Sequence, residues 1–203
     1  PIFTTQRQWE RIVWIGGPHE EGTKEVYCHF QIERVDSRER LRRIEHEIFA
    51  VLKCVFLAVE DFKEMQAATA DVAGCLRARR GDAGEVESAC SFLRWLQDQN
   101  YIFFGSAQYG IGPDRLPHRI HDSVAGAFRD IALLPVVFPG LIEEVESKIV
   151  PAPDDDRIVV LDYCKNASAI HHLEPTDYIL LRQWGADGNL AGAVFLLGRF
   201  ARG

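Results

Sequence analysis

The residues best equipped for chemistry sit in one polar stretch, Cys164 to Thr176, which holds Lys165, Ser168, His171 and His172 just after Asp162. A hydroxyl, an imidazole and a carboxylate are the parts of a nucleophilic triad, which works only when all three are held within hydrogen-bond reach. No Gly-x-Ser-x-Gly elbow presents Ser168 as a nucleophile. Adjacent histidines point in different directions, so His171 and His172 suit a shared metal poorly. The stretch reads as a loop in which a histidine can touch a ligand.

The other candidates are weaker. Asp154-Asp155-Asp156 lacks the further oxygen ligands of a calcium loop and reads as a solvated turn. Gly105-Ser-Ala-Gln-Tyr-Gly110-Ile-Gly112 is glycine-rich, but it has neither the Gly-Lys-Ser/Thr of a P-loop nor the spacing of a dinucleotide turn. Arg77, Arg79 and Arg80 read as a solvated helix end. Five scattered cysteines, with no Cys-x-x-Cys pair, read as reduced and mostly buried thiols of a cytoplasmic protein. No catalytic, cofactor-binding or metal-binding residue is assigned.

Composition sets the frame for these residues. The chain has 203 residues, 47% of them hydrophobic and 26% charged, which fits a globular protein and excludes disorder. A net charge of -7 disfavours nucleic acid as a partner. No apolar run approaches the ~20 residues of a membrane-spanning helix. The sequence starts without Met and stops just after a strand pattern, so a segment of a longer protein is expected.

Periodicity then predicts the elements. Arg11–Ile15 reads as a strand. Lys24–Val35 alternates, with Val26, Cys28, Phe30 and Ile32 on one face, and reads as a half-buried strand paired with the first. Asp36-Ser37 offers a helix cap. Leu41, Ile44, Ile48, Leu52, Val55, Val59 and Phe62 then recur at spacings of three and four. Residues 48–59 are apolar nearly all round, so this helix is expected to pack on more than one surface. Helices follow over 85–100 and 141–149, and strands over 101–109 and 157–163. His121-Asp-Ser123 opens a short helical stretch toward Phe128, and Leu133–Phe138, interrupted by Pro135, is at best an edge strand. The chain closes on a long hairpin around Asp187-Gly188, a dipeptide suited to the positive φ of a hairpin turn. The fold class is therefore α+β with a mostly antiparallel sheet, arranged as a first module over 1–70, a connector over 71–84 and a second module over 85–203.

Two blocks carry a resemblance. Phe92-Leu-Arg-Trp-Leu96 with Asn100-Tyr-Ile-Phe-Phe-Gly105 and Tyr109 is one. Ser168-Ala-Ile-His171, Asp177-Tyr-Ile179, Ala186-Asp-Gly188, Gly192 and Phe195-Leu-Leu-Gly198-Arg-Phe200 is the other. Together with Val59-Glu-Asp-Phe62-Lys-Glu-Met65, they resemble the N-terminal region of the large bacterial NAD-specific glutamate dehydrogenases. The chain departs from that pattern at Ser106, Tyr163, Ala167 and His172.

The resemblance implies a partial ACT-like module, a PAS-like module and a regulatory or assembly role. The parent enzyme would be a cytoplasmic homo-oligomer that uses NAD to deaminate L-glutamate oxidatively to 2-oxoglutarate and ammonia. Its catalytic domain would lie far downstream, leaving no cofactor in this segment. Ser168, His171 and Asp177 carry over as positions of possible ligand contact, with an amino acid as the possible effector. The partners implied are the rest of the parent chain and further copies of it. A free-standing small-ligand sensor and a purely structural oligomerisation segment remain as alternatives.

Overall fold

A computed structural model describes residues 2–9, 11–17, 19–26, 28–77, 83–152, 155, 157–168, 170, 174–185 and 187–201. The chain forms two compact units, Pro1–Leu41 and Arg42–Gly203. The class is α+β, as the sequence predicts.

The first unit is a three-stranded antiparallel sheet of β1 (Ile2–Gln8), β2 (Arg11–Gly16) and β3 (Thr23–Val26), in the order β2-β1-β3. The expected pairing of the two outer strands is corrected: each pairs with β1 instead. β1 escaped notice because Thr-Thr-Gln-Arg-Gln carries no apolar alternation. The expected strand over 24–35 is also shorter. It ends at Val26, and Phe30 and Ile32 are exposed. Alternation specifies a strand only where one face meets a core, and here residues 28–35 meet none. Polar contacts hold the sheet instead. Lys24 Nζ donates to Thr4 Oγ1 at 2.7 Å and to the Glu20 carbonyl at 2.8 Å. Arg7 grips the Glu25 carboxylate through two nitrogens, at 2.6 and 2.9 Å.

Ser37 caps α1 (Arg38–Glu60) as predicted, its hydroxyl accepting from the Arg40 N–H at 3.3 Å. The division between units falls inside this helix. α2 (Phe62–Arg77) follows a turn at Asp61, and α3 (Ala83–Trp95) follows α2. Val72, Ala73 and Leu76 of α2 share one core with Val86, Cys90 and Leu93 of α3. The boundary expected over 71–84 therefore does not coincide with the division between the units, and residues 78–82 lie outside those described.

α3 unwinds over Leu96–Asn100, where Gln99 turns left-handed at φ 63° and the Asn100 amide donates to the Trp95 carbonyl at 2.8 Å. Asn100 is thus the stop that the sequence suggests. Next come β4 (Tyr101–Ile111), β5 (Pro117–Arg119) and β6 (Ala125–Gly126). Short 3₁₀ turns at His121–Ser123 and Ala127–Arg129 flank β6, replacing the helix expected there. Leu133–Phe138 holds α4 (Leu134–Val137) rather than an edge strand. Pro135 sits in the first turn of α4, where its missing N–H costs no helical bond. α5 (Leu141–Ile149), β7 (Val159–Ser168), β8 (Glu174–Trp184) and β9 (Leu190–Phe200) complete the unit.

The main sheet is antiparallel in the order β5-β4-β9-β8-β7, with β6 also on β4. The closing hairpin is its centre. Leu180 lies opposite Phe195, and Leu181 opposite Val194. Side chains of a strand alternate between faces, so these runs feed two cores. Tyr178, Leu180, Ala193, Phe195 and Leu197 face Leu134, Leu141, Val145 and Ile149. Ile179, Leu181, Val194 and Leu196 face Met65, Val72, Cys90 and Leu93. Both faces of the hairpin are covered, as its lack of a polar face predicts. Gly198 lets β9 approach β4, since a Cβ there would lie 2.2 Å from the Ile102 carbonyl oxygen.

A candidate effector cleft at the end of the sheet

Of the sequence-derived contacts Ser168, His171 and Asp177, Asp177 has a described side chain. Ser168 ends β7, paired in register with Glu174, and its side chain lies outside the described residues, as does His171 altogether. Asp177 sits near the start of β8, and its groups are engaged structurally. Its carboxylate Oδ2 accepts from the Phe200 N–H at 3.1 Å, and its carbonyl accepts from the Tyr101 hydroxyl at 3.2 Å. It fastens β8 to β9 and to the start of β4.

A cleft of about 720 Å³ opens at the other end of the sheet. Trp184 lines it, seven residues along β8 from Asp177, or about 23 Å at ~3.3 Å per residue. The end of β4 contributes Ile111 and Gly112, the end of α5 leads in Val150, and the β8–β9 turn supplies Asn189 and Leu190. The turn is held open by Gly188 at φ 78° and by the Gly185 N–H, which donates to the Asn189 carbonyl at 2.7 Å. Arg115 stands at the rim in a left-handed conformation (φ 63°), its own N–H donating to the Gly112 carbonyl at 2.9 Å. Among the described residues its guanidinium makes no ion pair. Among the described residues, the cleft thus offers apolar walls, the Arg115 cation and a side-chain amide.

Its carboxylate is already spoken for. Asp155 accepts from Arg157 Nε at 2.7 Å and from Arg157 Nη2 at 2.9 Å, and Arg182 Nη1 reaches it at 2.9 Å. Arg182 is buried, and its Nη2 also donates to the Lys148 carbonyl at 3.0 Å. Hydrogen bonds from Arg157 and then Arg182 hold the Asp155 carboxyl well below its ordinary range. It is an ionised strut, not a general base. Because the folded value is depressed, its stabilisation is whole above the ordinary carboxyl value of 3.8 and fades as pH falls from there toward the folded value. Urea melts between pH 6 and pH 2 should show that loss, and Asp155→Asn should flatten the acid limb of the curve. An unchanged acid limb in the variant contradicts this assignment.

A second polar cluster pins α5 to the sheet. Lys148 Nζ donates to Asp162, to the Tyr178 hydroxyl at 2.6 Å and to Glu144 at 3.3 Å. Burial works against the Lys148 charge, yet the bonds to Asp162 and Tyr178 raise its pKa overall. Burial likewise opposes ionisation of Asp162, but Lys148 outweighs it and lowers the carboxyl. Burial pushes Tyr178 up to about 12 against the pull of Lys148. Lysine charged, carboxylate charged and phenol neutral is a stable set with no group poised to move a proton near neutrality.

All five cysteines are free; Cys54, Cys90 and Cys164 are buried, while Cys28 and Cys75 are exposed. Burial raises Cys54 to about 11, away from thiolate chemistry. Among the described residues, no three His, Cys, Asp or Glu side chains converge on a metal position, and no helix is long and apolar enough to cross a membrane.

Sequence reasoning missed the cleft, although Gly110-Ile-Gly-Pro113 and Asp187-Gly188 both read as turns. Turn residues at two strand ends become a site only once the topology puts those ends together.

No protein-family model matches the chain. The chain is similar to curated NAD-specific glutamate dehydrogenases over nearly its whole length. It is 25% identical over 208 residues to the enzyme of Halomonas elongata, covering 94% of the chain. It is 24% identical over 196 residues to that of Pseudomonas aeruginosa, covering 91%. The chain spans only 12% of the length of either relative.

Proposed function

We propose that this chain is a non-catalytic regulatory and assembly segment of an NAD-dependent glutamate dehydrogenase. The observation that carries the reading is the match of nearly the entire chain to about an eighth of such an enzyme. The chemistry of the cleft is compatible with a ligand site, since the described lining combines the Arg115 guanidinium with apolar walls. The parent would be a cytoplasmic homo-oligomer that oxidises L-glutamate to 2-oxoglutarate and ammonia, with NAD bound elsewhere in the polypeptide. Residues 1–70 would form part of an ACT-like module, and residues 85–203 a PAS-like one.

The effector is an amino acid or 2-oxo acid, its carboxylate on Arg115 and its side chain against Trp184 and Leu190. Such a ligand shifts the parent between states only by binding them unequally. An alternative seat is the set of contacts that the resemblance implies at Ser168, His171 and Asp177.

A thermal-shift screen of the 203-residue chain against amino acids, 2-oxoglutarate, NAD and nucleotides tests this. A ligand at 100 times its Kd stabilises the folded state by about 2.7 kcal/mol. One amino acid or 2-oxo acid should raise Tm, NAD should not, and Arg115→Ala should abolish the rise without lowering the ligand-free Tm. A rise with NAD, or with none of these compounds, contradicts the effector reading.

A further inference from the structure

The long helix α1 packs by one narrow side and leaves most of its large apolar residues in solvent. Ala50, Cys54, Leu57 and Ala58 are buried. Ile48, Phe49, Leu52, Val55, Phe56, Val59 and, just beyond the helix, Phe62 are exposed, with Phe49 at 60%, Phe56 at 68% and Val59 at 72%. This corrects the expectation that residues 48–59 pack on several surfaces: one side is covered and the other is bare. An apolar face of this extent on a protein surface marks an interaction site.

Spacing says what kind of partner fits. Ile48, Leu52, Val55, Val59 and Phe62 follow one another at intervals of four, three, four and three. That is the 3.5-residue repeat of a seam between two helices, with Leu52 and Val59 at one core position, and Ile48, Val55 and Phe62 at the other. Phe49 and Phe56 widen the seam on one side. The other long helices, α2 and α3, spend their apolar stripes inside the fold, at Met65, Val72 and Leu76, and at Val86, Cys90 and Leu93. Among the described residues, α1 alone carries such a seam without a mate. The seven side chains present roughly 700–800 Å² of apolar surface, close to the share each partner gives to a standard-size interface.

We infer that α1 is an interface with a second copy of this chain, the two helices running antiparallel about a twofold axis. In that arrangement Leu52 meets Val55 of the second copy, and Val59 meets its Ile48, each contact occurring twice as twofold symmetry requires. Ile48 then arrives at the mouth of an apolar groove of about 460 Å³ lined by Val55, Ala58, Val59, Phe62, Ile102 and Phe104, among others. Charge sets the direction. Continuing the repeat backward places Glu45 at a core position, so a parallel pair would oppose Glu45 to Glu45. The antiparallel pair, by the same register, sets Glu45 opposite Phe62 of the second copy instead. Like charges held together at an interface cost affinity, and this arrangement avoids them at Glu45. The inference stands on the helix surface and holds whether or not the cleft binds an effector.

Sedimentation equilibrium of the 203-residue chain, with pairwise mixing of variants, tests it. The chain should be dimeric at micromolar concentration. Leu52→Glu and Val55→Lys should each give a monomer with unchanged circular dichroism, since both side chains are exposed and their loss disturbs no core. Mixing the two monomeric variants should restore a heterodimer, because the antiparallel axis brings Glu at 52 against Lys at 55. A monomeric parent chain, a dimer indifferent to either substitution, or a mixture that stays monomeric each overturns the proposal. A monomeric parent chain would assign the face to a different polypeptide.

Discussion

Phe195→Ala destabilises the second unit by about 4 kcal/mol, the middle of the range for truncating a buried phenylalanine. Phe195 is fully buried on β9, between β4 and β8. Its ring meets Phe128 edge-on at 5.4 Å and Tyr178 at the same distance. Three elements brace the site, so it collapses poorly around a missing ring, and the void left behind adds to the lost transfer energy. Urea unfolding followed by circular dichroism reads the effect as a lower midpoint at constant slope. A loss under about 1.5 kcal/mol would mean that the hairpin is not the centre of the core.

Asp61→Ala lowers stability by about 3 kcal/mol, from the loss of two hydrogen bonds to a carboxylate and an amide left without its acceptor. Asp61 lies at the turn between α1 and α2. Its Oδ2 accepts from the Gly126 N–H at 2.8 Å, and its Oδ1 accepts from Arg129 at 2.8 Å. Arg129 keeps Glu60 at 2.7 Å and is partly exposed, so it rehydrates. The Gly126 amide cannot, being buried under the Phe104 backbone. Gly126 is also the residue that permits the approach, with φ 61° and space for a Cβ only 2.4 Å from the Phe104 carbonyl oxygen. Hydrogen exchange at Gly126 separates the local effect from a global one. Fast exchange there at little global cost would show a clasp that holds only the loop.

These two sites also show which information local sequence carries. The closing hairpin was readable because its strands are apolar on both faces and its turn contains Asp-Gly. The Ser37 cap and the Asn100 stop were readable because each acts within a few residues of itself. β1 was not, since a strand of Thr, Gln and Arg carries no signal of burial. α4 was not, because Pro135 reads as a breaker until its place in the first turn is known. The strand expected over 24–35 had the right alternation but no sheet for Phe30 and Ile32 to face. Asp61 looked like one carboxylate among many, and its role depends on an amide 65 residues away.

The candidate site follows the same logic. Asp177 was visible as a matching position, and the structure gives its carboxylate a structural bond to β9. The cleft joins Ile111, Arg115, Val150, Trp184 and Asn189 from three separate parts of the chain. No spacing rule links them, because antiparallel topology alone brings those strand ends together. The α1 seam is the reverse case. Its repeat is plain in the sequence, but only the structure shows that the repeat is unused within the fold.

The central claim is that these residues regulate and assemble a dehydrogenase whose chemistry lies elsewhere in the polypeptide. The most direct measurement compares glutamate-dependent NADH production by the full polypeptide with that of a form lacking these residues, with and without the ligand found by thermal shift. The predicted result is a truncated enzyme that still forms NADH but no longer responds to the ligand, with altered assembly by light scattering. Effector response and assembly that survive the deletion unchanged would contradict the account.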